Sequence, residues 1–213
     1  MERFLKILKQ LWLPLLIIAA AITADLTTKL AIEKTIALGK SVTIIPKFLF
    51  LTYAQNLGAA FSMLSGAQTF LKIITPFAVA GFFAFLVCIC SKNGHILLKV
   101  SLALIIAGAL GNFADRVAFG YVRDFIHIHY FGLDLPLLGT DFAIFNVADS
   151  ALTVGVVIFA VYYLFLHKDK TAAEAANLKK EKKVLEKKHS MSVEEYLALQ
   201  TKSEKGEVKN SEQ

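Results

Sequence analysis

Long apolar runs separated by polar connections occupy the first 166 residues of the chain, and this pattern predicts membrane-spanning helices. A helix that crosses the hydrocarbon core of a bilayer needs roughly 20 consecutive residues with few charges. The segments that meet this requirement are residues 8–28, 70–90, 96–113 and 147–166. We therefore expect an all-α membrane protein whose body, residues 1–166, is a bundle of four transmembrane helices.

The connection after the first apolar run contains residues that favour β-structure. Residues 41–45 and 48–53 are rich in β-branched and aromatic side chains, and Pro46 lies between them. Short runs of this composition predict strands. We expect a small β-sheet outside the helical bundle.

Charge is concentrated at the end of the chain. Residues 1–166 contain 12 Lys/Arg and 8 Asp/Glu, whereas residues 167–213 contain 11 Lys and 9 Asp/Glu. About one residue in eight of the body is charged, against roughly one in four in water-soluble domains. This composition excludes an ordinary cytosolic enzyme. The net charge of +6 predicts no nucleic-acid groove, because it is spread over a membrane body and a mixed-charge tail.

Lysine and arginine residues near the span ends predict the orientation, because they favour the cytoplasmic side of a membrane. They precede the first span, border the connection between the second and third spans, and follow the fourth: Arg3, Lys6, Lys9, Lys92, Lys99, Lys168 and Lys170. We expect both termini and the charged 167–213 tail in the cytoplasm, with the two long connections outside. A cleaved secretory signal peptide is the alternative for the first apolar run, although cleavage would remove the polar motif that ends it.

Ionisable residues inside or beside a membrane span are costly unless paired or hydrated, so they mark candidate functional positions. Asp25 and Lys29 end the first span four residues apart on one helical face, a spacing that also suits a simple ion pair at the interface. Asn56 and Gly58 follow the second strand-forming segment with a spacing typical of a tight turn.

The end of the third span carries a second polar group of residues. Asn112, Asp115 and Arg116 share one helical face, and an arginine is favourable near a helix C-terminus. A structural network and a functional site are equally compatible with this pattern.

Two further carboxylates lie at the outer ends of the last two spans. Asp124 follows the third span in a short apolar stretch, and Asp149 begins the fourth. Asn146 and Asp149 have the spacing of a capping box, which offers Asp149 a structural role instead. If Asp124 and Asp149 share one proton, the ionised carboxylate can activate water while the protonated one polarises an amide carbonyl. This arrangement is typical of an aspartic protease.

Two other interpretations use the same region. His127 and His129 alternate along an extended segment and would bind a metal with Asp124 or Asp134, although no third ligand has a recognisable spacing. A small four-span ion- or proton-coupled transporter subunit would use the same acids as a relay. That class predicts acids near the bilayer midplane, whereas here they lie towards one end of the spans.

Five short motifs, in order along the four-span profile, resemble those of the bacterial lipoprotein signal peptidase family, also called signal peptidase II. They are Asp25-x-x-x-Lys29, Asn56-x-Gly58-x-Ala60-Phe61, Gly111-Asn112-x-x-Asp115-Arg116, Val122-x-Asp124-Phe125-Ile126 and Phe145-Asn146-x-Ala148-Asp149-Ser150. None is specific alone, but the ordered set covers roughly residues 8–166 and is very specific.

The resemblance implies an aspartic endopeptidase of the bacterial cytoplasmic (inner) membrane. Such an enzyme removes signal peptides from diacylglyceryl-modified prolipoproteins and cuts just before the lipidated cysteine. Asp124 and Asp149 match the catalytic dyad of the family. The positions that match its substrate-binding or supporting residues are Asp25, Lys29, Asn56, Gly58, Asn112, Asp115, Arg116 and Asn146. The family fold adds an extracytoplasmic β-sheet cradle and a short outer helix to the four spans, with the active site at the outer face.

The resemblance also implies partners and no cofactor. Diacylglyceryl-prolipoprotein substrates, membrane lipid and globomycin-type inhibitors are expected to bind. A metal, an organic cofactor or nucleic acid is not expected. One chain holds every group that the reaction needs, so we expect a monomer. Two features depart from the family pattern: the connection from Asp124 to Asp149 is longer than usual, and the 167–213 tail is additional.

Overall fold

The computed structural model describes residues 1–58, 67–129 and 142–166, together with residues 178, 179, 181, 182 and 186. Met1–Tyr162 form one compact unit and Tyr163–Gln213 a second. The helices are α1 (Glu2–Thr35), α2 (Ala67–Ser91), α3 (Ile96–Phe119) and α4 (Val147–Val161), and a π-helical segment, Tyr162–Leu166, continues α4. The strands are β1 (Ser41–Ile45), β2 (Leu49–Asn56) and β3 (Val122–Ile128).

The structure has a helix at each of the four predicted spans. Within the described residues, four helical stretches are long and apolar enough to cross a membrane: Leu5–Thr35, Gln68–Ser91, Ile96–Phe119 and Val147–Leu166. The first and third helices continue past the predicted ends at residues 28 and 113, reaching Thr35 and Phe119. The added turns contain Lys29 and Asp115, which lower the local hydropathy of the sequence but form an ion pair in the folded protein.

Helix α3 lies at the centre of the bundle and packs against α1, α2 and α4. About three fifths of its apolar window is buried within the protein, compared with 11% for each of the other three spans. Small residues permit this position, because helices in a bilayer associate by close packing rather than by the hydrophobic effect. An added Cβ at Gly108 would overlap the Ala148 carbonyl oxygen, and one at Gly155 would lie 2.8 Å from the Ser101 carbonyl oxygen.

The three strands form one antiparallel sheet in the order β1-β2-β3. The first two strands confirm the sequence prediction, while β3 was not predicted as a strand. A small apolar cluster packs the sheet against the C-terminal end of α1, with Ile32 and Ile36 contacting Tyr53 and Phe125. This contact fixes the sheet beside the helix ends that carry the polar residues.

The architecture therefore confirms a four-span helical bundle with a small sheet. The short outer helix does not occur within residues 1–58, 67–129 or 142–166, and it stays a prediction. Ala60 and Phe61 of the second motif and Asp134 of the metal interpretation lie outside the described residues, as does nearly all of the 167–213 tail.

Candidate active site

Two backbone features bring the site together at the C-terminal end of α3 and the N-terminal end of α4. Helix α3 ends at Gly120, which adopts the left-handed conformation (φ 83°) that glycine tolerates best, and its N–H donates to the Arg116 carbonyl. The chain then enters β3, whose third residue is Asp124. Phe145 and Ile126 exchange backbone hydrogen bonds of 2.7 and 3.0 Å, so the segment that begins α4 lies beside β3.

Asp124 is almost completely buried, with 2% of its surface exposed. Its Oδ1 accepts a hydrogen bond from Asn146 Nδ2 at 2.7 Å, and its Oδ2 accepts one from Asn56 Nδ2 at 2.9 Å. Burial, with a smaller contribution from the nearby negative charge of Asp149, raises the pKa of Asp124 to about 6, despite the lowering effect of the two amide hydrogen bonds. A carboxyl group with this pKa can hold or release a proton near neutral pH.

Asn56 is oriented by the turn that follows it. Gly58 has φ 82°, a conformation that side chains other than glycine rarely adopt, and its N–H donates to Asn56 Oδ1 at 2.8 Å. With its oxygen held by the backbone, the Asn56 amide presents Nδ2 to Asp124. This explains why the second motif pairs an asparagine with a glycine two residues later.

Asp149 is held at the first turn of α4. The predicted capping box is present: Asn146 Oδ1 accepts from the Asp149 N–H at 2.9 Å, and Asp149 Oδ2 accepts from the Asn146 N–H at 3.2 Å. The other oxygen, Oδ1, accepts from Asn112 Nδ2 at 2.7 Å. Capping and a place in the site are therefore compatible roles of the same carboxylate.

Lys29 connects the supporting residues. It is completely buried, and its Nζ lies 2.7 Å from Asp25 Oδ2, 3.3 Å from Asp115 Oδ2 and 3.2 Å from Asn112 Oδ1. The predicted Asp25–Lys29 ion pair is thus confirmed, but Lys29 also binds Asp115 and Asn112, so the pair is not isolated. Asn112 Oδ1 accepts hydrogen bonds from both Lys29 Nζ and Asn146 Nδ2, the latter at 3.0 Å. These two bonds orient the Asn112 amide, whose Nδ2 donates to Asp149.

Asp25 links the first helix to the fourth. Its Oδ1 accepts from the Ala148 N–H at 2.9 Å, so a carboxylate of α1 occupies the positive end of α4. Gly111 leaves room for this contact, because an added Cβ would lie 2.7 Å from Asp25 Oδ2.

The family of the chain follows from comparison with known proteins. A family model described as signal peptidase (SPase) II matches residues 17–165. The chain belongs to the signal peptidase II family. It is therefore a multi-pass membrane protein of a protease family, which favours the protease interpretation over a transporter.

Relatives and solved structures agree with this assignment. The chain is 43% identical over 151 residues to a lipoprotein signal peptidase of Staphylococcus carnosus (strain TM300), covering 71% of this chain and 89% of the relative. It is 40% identical over 150 residues to one of Staphylococcus aureus (strain bovine RF122 / ET3-1), covering 70% and 86%. A bacterial membrane enzyme structure obtained by the in meso method at 1.9 Å resolution is 40% identical, with a TM-score of 0.60, covering 71% of this chain and 92% of that one. A second such structure, at 2.3 Å, has a TM-score of 0.58, 40% identity, and coverage of 71% and 87%.

Arg116 of this signal peptidase II family member has a hydrogen-bond donor that is not satisfied by the described residues. Its Nε is buried and has no hydrogen-bond partner among the described residues. Its charge lies within electrostatic reach of Asp149 and Asp124. An unpaired donor beside two carboxylates is suited to a group that enters from outside.

A cavity of about 320 Å³ opens beside Asp149. It is mostly apolar, and the residues that line it are Phe142, Phe145, Asp149, Ser150, Thr153 and Val154. A cavity of this kind can accept an apolar group next to a carboxylate.

Nine of the ten site residues predicted from the sequence join one network of hydrogen bonds and ion pairs at this end of the bundle, and the tenth, Arg116, lies within electrostatic reach of Asp124 and Asp149. Arg123 was missed as a site residue, although its position directly before Asp124 could have drawn attention to it. It pairs with Asp115 and with Glu33 at 2.7 Å each. Burial opposes the charge of Arg123, but its hydrogen bonds to Asp115 and Glu33 keep its pKa above the ordinary value.

The geometry does not support a metal site formed by His127, His129 and Asp124, while Asp134, the other predicted ligand, lies outside the described residues. His127 and His129 do share one face, with ring centroids 4.3 Å apart. Successive strand residues point to opposite faces, so Asp124 faces away from both. Among the described residues, no three His, Cys, Asp or Glu side chains are placed to hold a metal ion.

Proposed function

We propose that the chain is an aspartic endopeptidase that removes signal peptides from diacylglyceryl-modified prolipoproteins, cutting just before the lipidated cysteine. The observation that carries the proposal is the pair Asp124 and Asp149, whose carboxylates are both held by Asn146. The prolipoprotein substrate follows from family membership.

The dyad works with one shared proton. The ionised carboxylate takes a proton from water, which attacks the scissile carbonyl carbon, while the protonated carboxyl donates a hydrogen bond to the carbonyl oxygen. Collapse of the tetrahedral intermediate breaks the C–N bond as a proton passes to the leaving amine. The raised pKa of Asp124 suits it to hold the shared proton, while the macroscopic titration belongs to the pair.

Neighbouring residues supply orientation and binding. Asn112, Asn56 and Asn146 fix the two carboxylates by hydrogen bonds of 2.7 to 2.9 Å. Arg116, whose Nε has no partner in the part of the chain that the structure describes, binds a carbonyl of the substrate backbone. The apolar cavity beside Asp149 accepts an apolar part of the lipid-anchored substrate. Lys29, Asp25 and Asp115 hold these groups without touching substrate.

The location of the site agrees with this substrate. A diacylglyceryl anchor keeps the prolipoprotein in the bilayer, so the scissile bond reaches the enzyme where the helices meet water. The predicted orientation places this end of the bundle at the outer face of the bacterial inner membrane, with both termini in the cytoplasm. The enzyme acts as a monomer without a metal or organic cofactor, in contact with membrane lipid, and globomycin-type peptides inhibit it.

A gel-shift assay on a purified prolipoprotein, with and without prior diacylglyceryl transfer, tests the proposal. We expect Asp124→Asn and Asp149→Asn each to lower the cleavage rate by about 1,000-fold or more, since residues of one catalytic unit are not replaceable singly. Glu2→Gln, an exposed acid at the opposite end of α1, is the matched control and should cleave normally. Substantial cleavage by either aspartate variant would exclude the dyad. Equal cleavage of the modified and unmodified substrates would exclude the proposed specificity.

A further inference from the structure

Two buried carboxylates of the site compete for one lysine. Asp25 and Asp115 are each about 1% exposed, and both contact Lys29 Nζ, Asp25 at 2.7 Å and Asp115 at 3.3 Å. A buried carboxylate without a close cation costs several kcal/mol. Asp115 therefore requires a second positive charge, and the residue that provides it is Arg123.

Arg123 binds Asp115 through both its side chain and its backbone. Nη2 donates to Oδ1 at 2.7 Å, Nε donates to Oδ2 at 3.3 Å, and the Arg123 N–H donates to Oδ2 at 3.0 Å. The paired side-chain donors form the planar fork that arginine provides and lysine cannot. The residue directly before Asp124 is thus attached to α3 at three points.

The other side of the guanidinium is attached to α1. Nη1 donates to Glu33 Oε2 at 2.7 Å, and the guanidinium carbon lies 4.6 Å from the centre of the Phe119 ring. One side chain therefore joins α1, α3 and β3 at the start of the strand.

We propose that Arg123, assisted by Glu33, is a positioning residue that fixes the start of β3 and so holds Asp124 opposite Asp149. This inference rests on the proposed function of the dyad. Adjacent residues of a strand face opposite ways, so Arg123 faces Asp115 while Asp124 faces Asn56 and Asn146. Arg123 acts on Asp124 through the backbone and does not touch substrate.

A second effect passes through Lys29. With Arg123 in place, Asp115 is satisfied and Lys29 is free to bind Asp25 and Asn112. Without Arg123, Asp115 attracts Lys29, and the Lys29–Asn112 hydrogen bond of 3.2 Å weakens. Since Asn112 holds Asp149, both members of the dyad lose part of their alignment.

The test compares kcat and KM of Arg123→Gln, Arg123→Lys and Glu33→Gln in the full-length enzyme with a diacylglyceryl-modified prolipoprotein. We expect Arg123→Gln to lower kcat about 10- to 100-fold, the size of effect that a shift of about 1 Å produces, while KM changes less than about 2-fold. Arg123→Lys should recover part of kcat because it keeps the charge but loses the fork. Glu33→Gln should lower kcat about 2- to 5-fold. Lys34→Gln, an exposed neighbour of Glu33, is the control and should be unchanged.

Thermal unfolding of each variant separates alignment from folding. A role in folding alone predicts a lower melting temperature with a normal kcat per folded molecule, and that result for Arg123→Gln would overturn the inference. A change in KM rather than kcat would overturn it as well. If Arg123→Gln does not fold, normal kcat values in both Arg123→Lys and Glu33→Gln would also overturn the inference.

Asp124→Asn, assayed in parallel, distinguishes this inference from the proposed function. An active Asp124→Asn would exclude the catalytic dyad. An inactive Asp124→Asn together with a fully active Arg123→Gln would exclude only the positioning role of Arg123.

Discussion

The side-chain amide of Asn146 donates a 2.7 Å hydrogen bond to Oδ1 of Asp124. The backbone N–H of the same asparagine donates to Asp149, and its side-chain oxygen caps α4 by accepting from the Asp149 N–H. A helix cap and the link between the two carboxylates are therefore one residue. This arrangement lets the beginning of α4 set the distance between Asp124 and Asp149.

Two substitutions of Asn146 separate these roles. Asn146→Ser keeps an oxygen that can cap α4 but cannot reach Asp124, whereas Asn146→Ala removes both contacts. We expect both variants to lower kcat about 10- to 100-fold, and only Asn146→Ala to lose the roughly 1 kcal/mol of capping stability. Measured kcat values and melting temperatures check this prediction. Normal turnover by Asn146→Ser would show that the bond to Asp124 is not needed.

The pKa of Asp124 predicts how stability depends on pH. Its folded-state pKa is raised from 3.8 to about 6, so the folded protein binds this proton more tightly than the unfolded chain does. Protonation of Asp124 therefore adds about 3 kcal/mol to the free energy of unfolding below pH 4, and this contribution is lost as the pH rises through 6. Asp124→Asn cannot titrate, so its melting temperature should decline less than that of the wild type between pH 4 and pH 7. Parallel curves for the two proteins over this range would contradict the shift.

Asn56 predicts a change in the pH dependence of activity. Its hydrogen bond favours the ionised form of Asp124, so Asn56→Leu should raise the Asp124 pKa further. If Asp124 carries the shared proton, the high-pH decline of kcat should then move to higher pH, and kcat at the optimum should fall. Gln55→Leu, an exposed neighbour on β2, is the matched control. A decline that stays in place or moves to lower pH would argue against Asp124 as the proton carrier.

Close packing of α3 against α4 predicts unequal effects at two glycines. An alanine Cβ at Gly108 would overlap the Ala148 carbonyl oxygen and lie 2.9 Å from the Leu152 nitrogen, so α4 and Asp149 would have to shift. We expect Gly108→Ala to lower both the melting temperature and kcat, with a loss of stability of about 1–3 kcal/mol. Gly81→Ala, in α2, meets nothing within 4 Å and should be neutral or slightly stabilising. Equal behaviour of the two variants would contradict the packing argument.

The sequence predicted the parts of the fold that depend on local pattern. The four apolar runs and the first two strands follow from composition, and the Asn146–Asp149 capping box follows from spacing. The Asp25–Lys29 pair was also visible, because residues four apart share a helical face.

Contacts between residues far apart in the sequence could not be predicted from local sequence patterns. Strand β3 was missed because its residues become a strand only by pairing with β2 and Phe145. The contact of Asp115 with Arg123 was missed because no periodicity relates a helix end to the strand that follows it. The ordered motifs indicated which residues form the site, whereas the structure shows that Lys29 and Asn146 each contact several of them.

The buried Asp25–Lys29 pair also bears on how the protein is made. Both residues belong to α1, which leaves the ribosome before α3, so their 2.7 Å contact can form within this helix before α3 exists. A helix whose two charges neutralise each other enters the bilayer at lower cost than one carrying either charge alone. Asp115, by contrast, lacks such a partner in its own helix and receives Lys29 and Arg123 only as the later segments assemble. The charges of Asp25 and Lys29 in α1 can therefore be paired as soon as this helix forms, whereas the charge of Asp115 is paired only when α3 packs against α1 and Arg123 has been added to the chain.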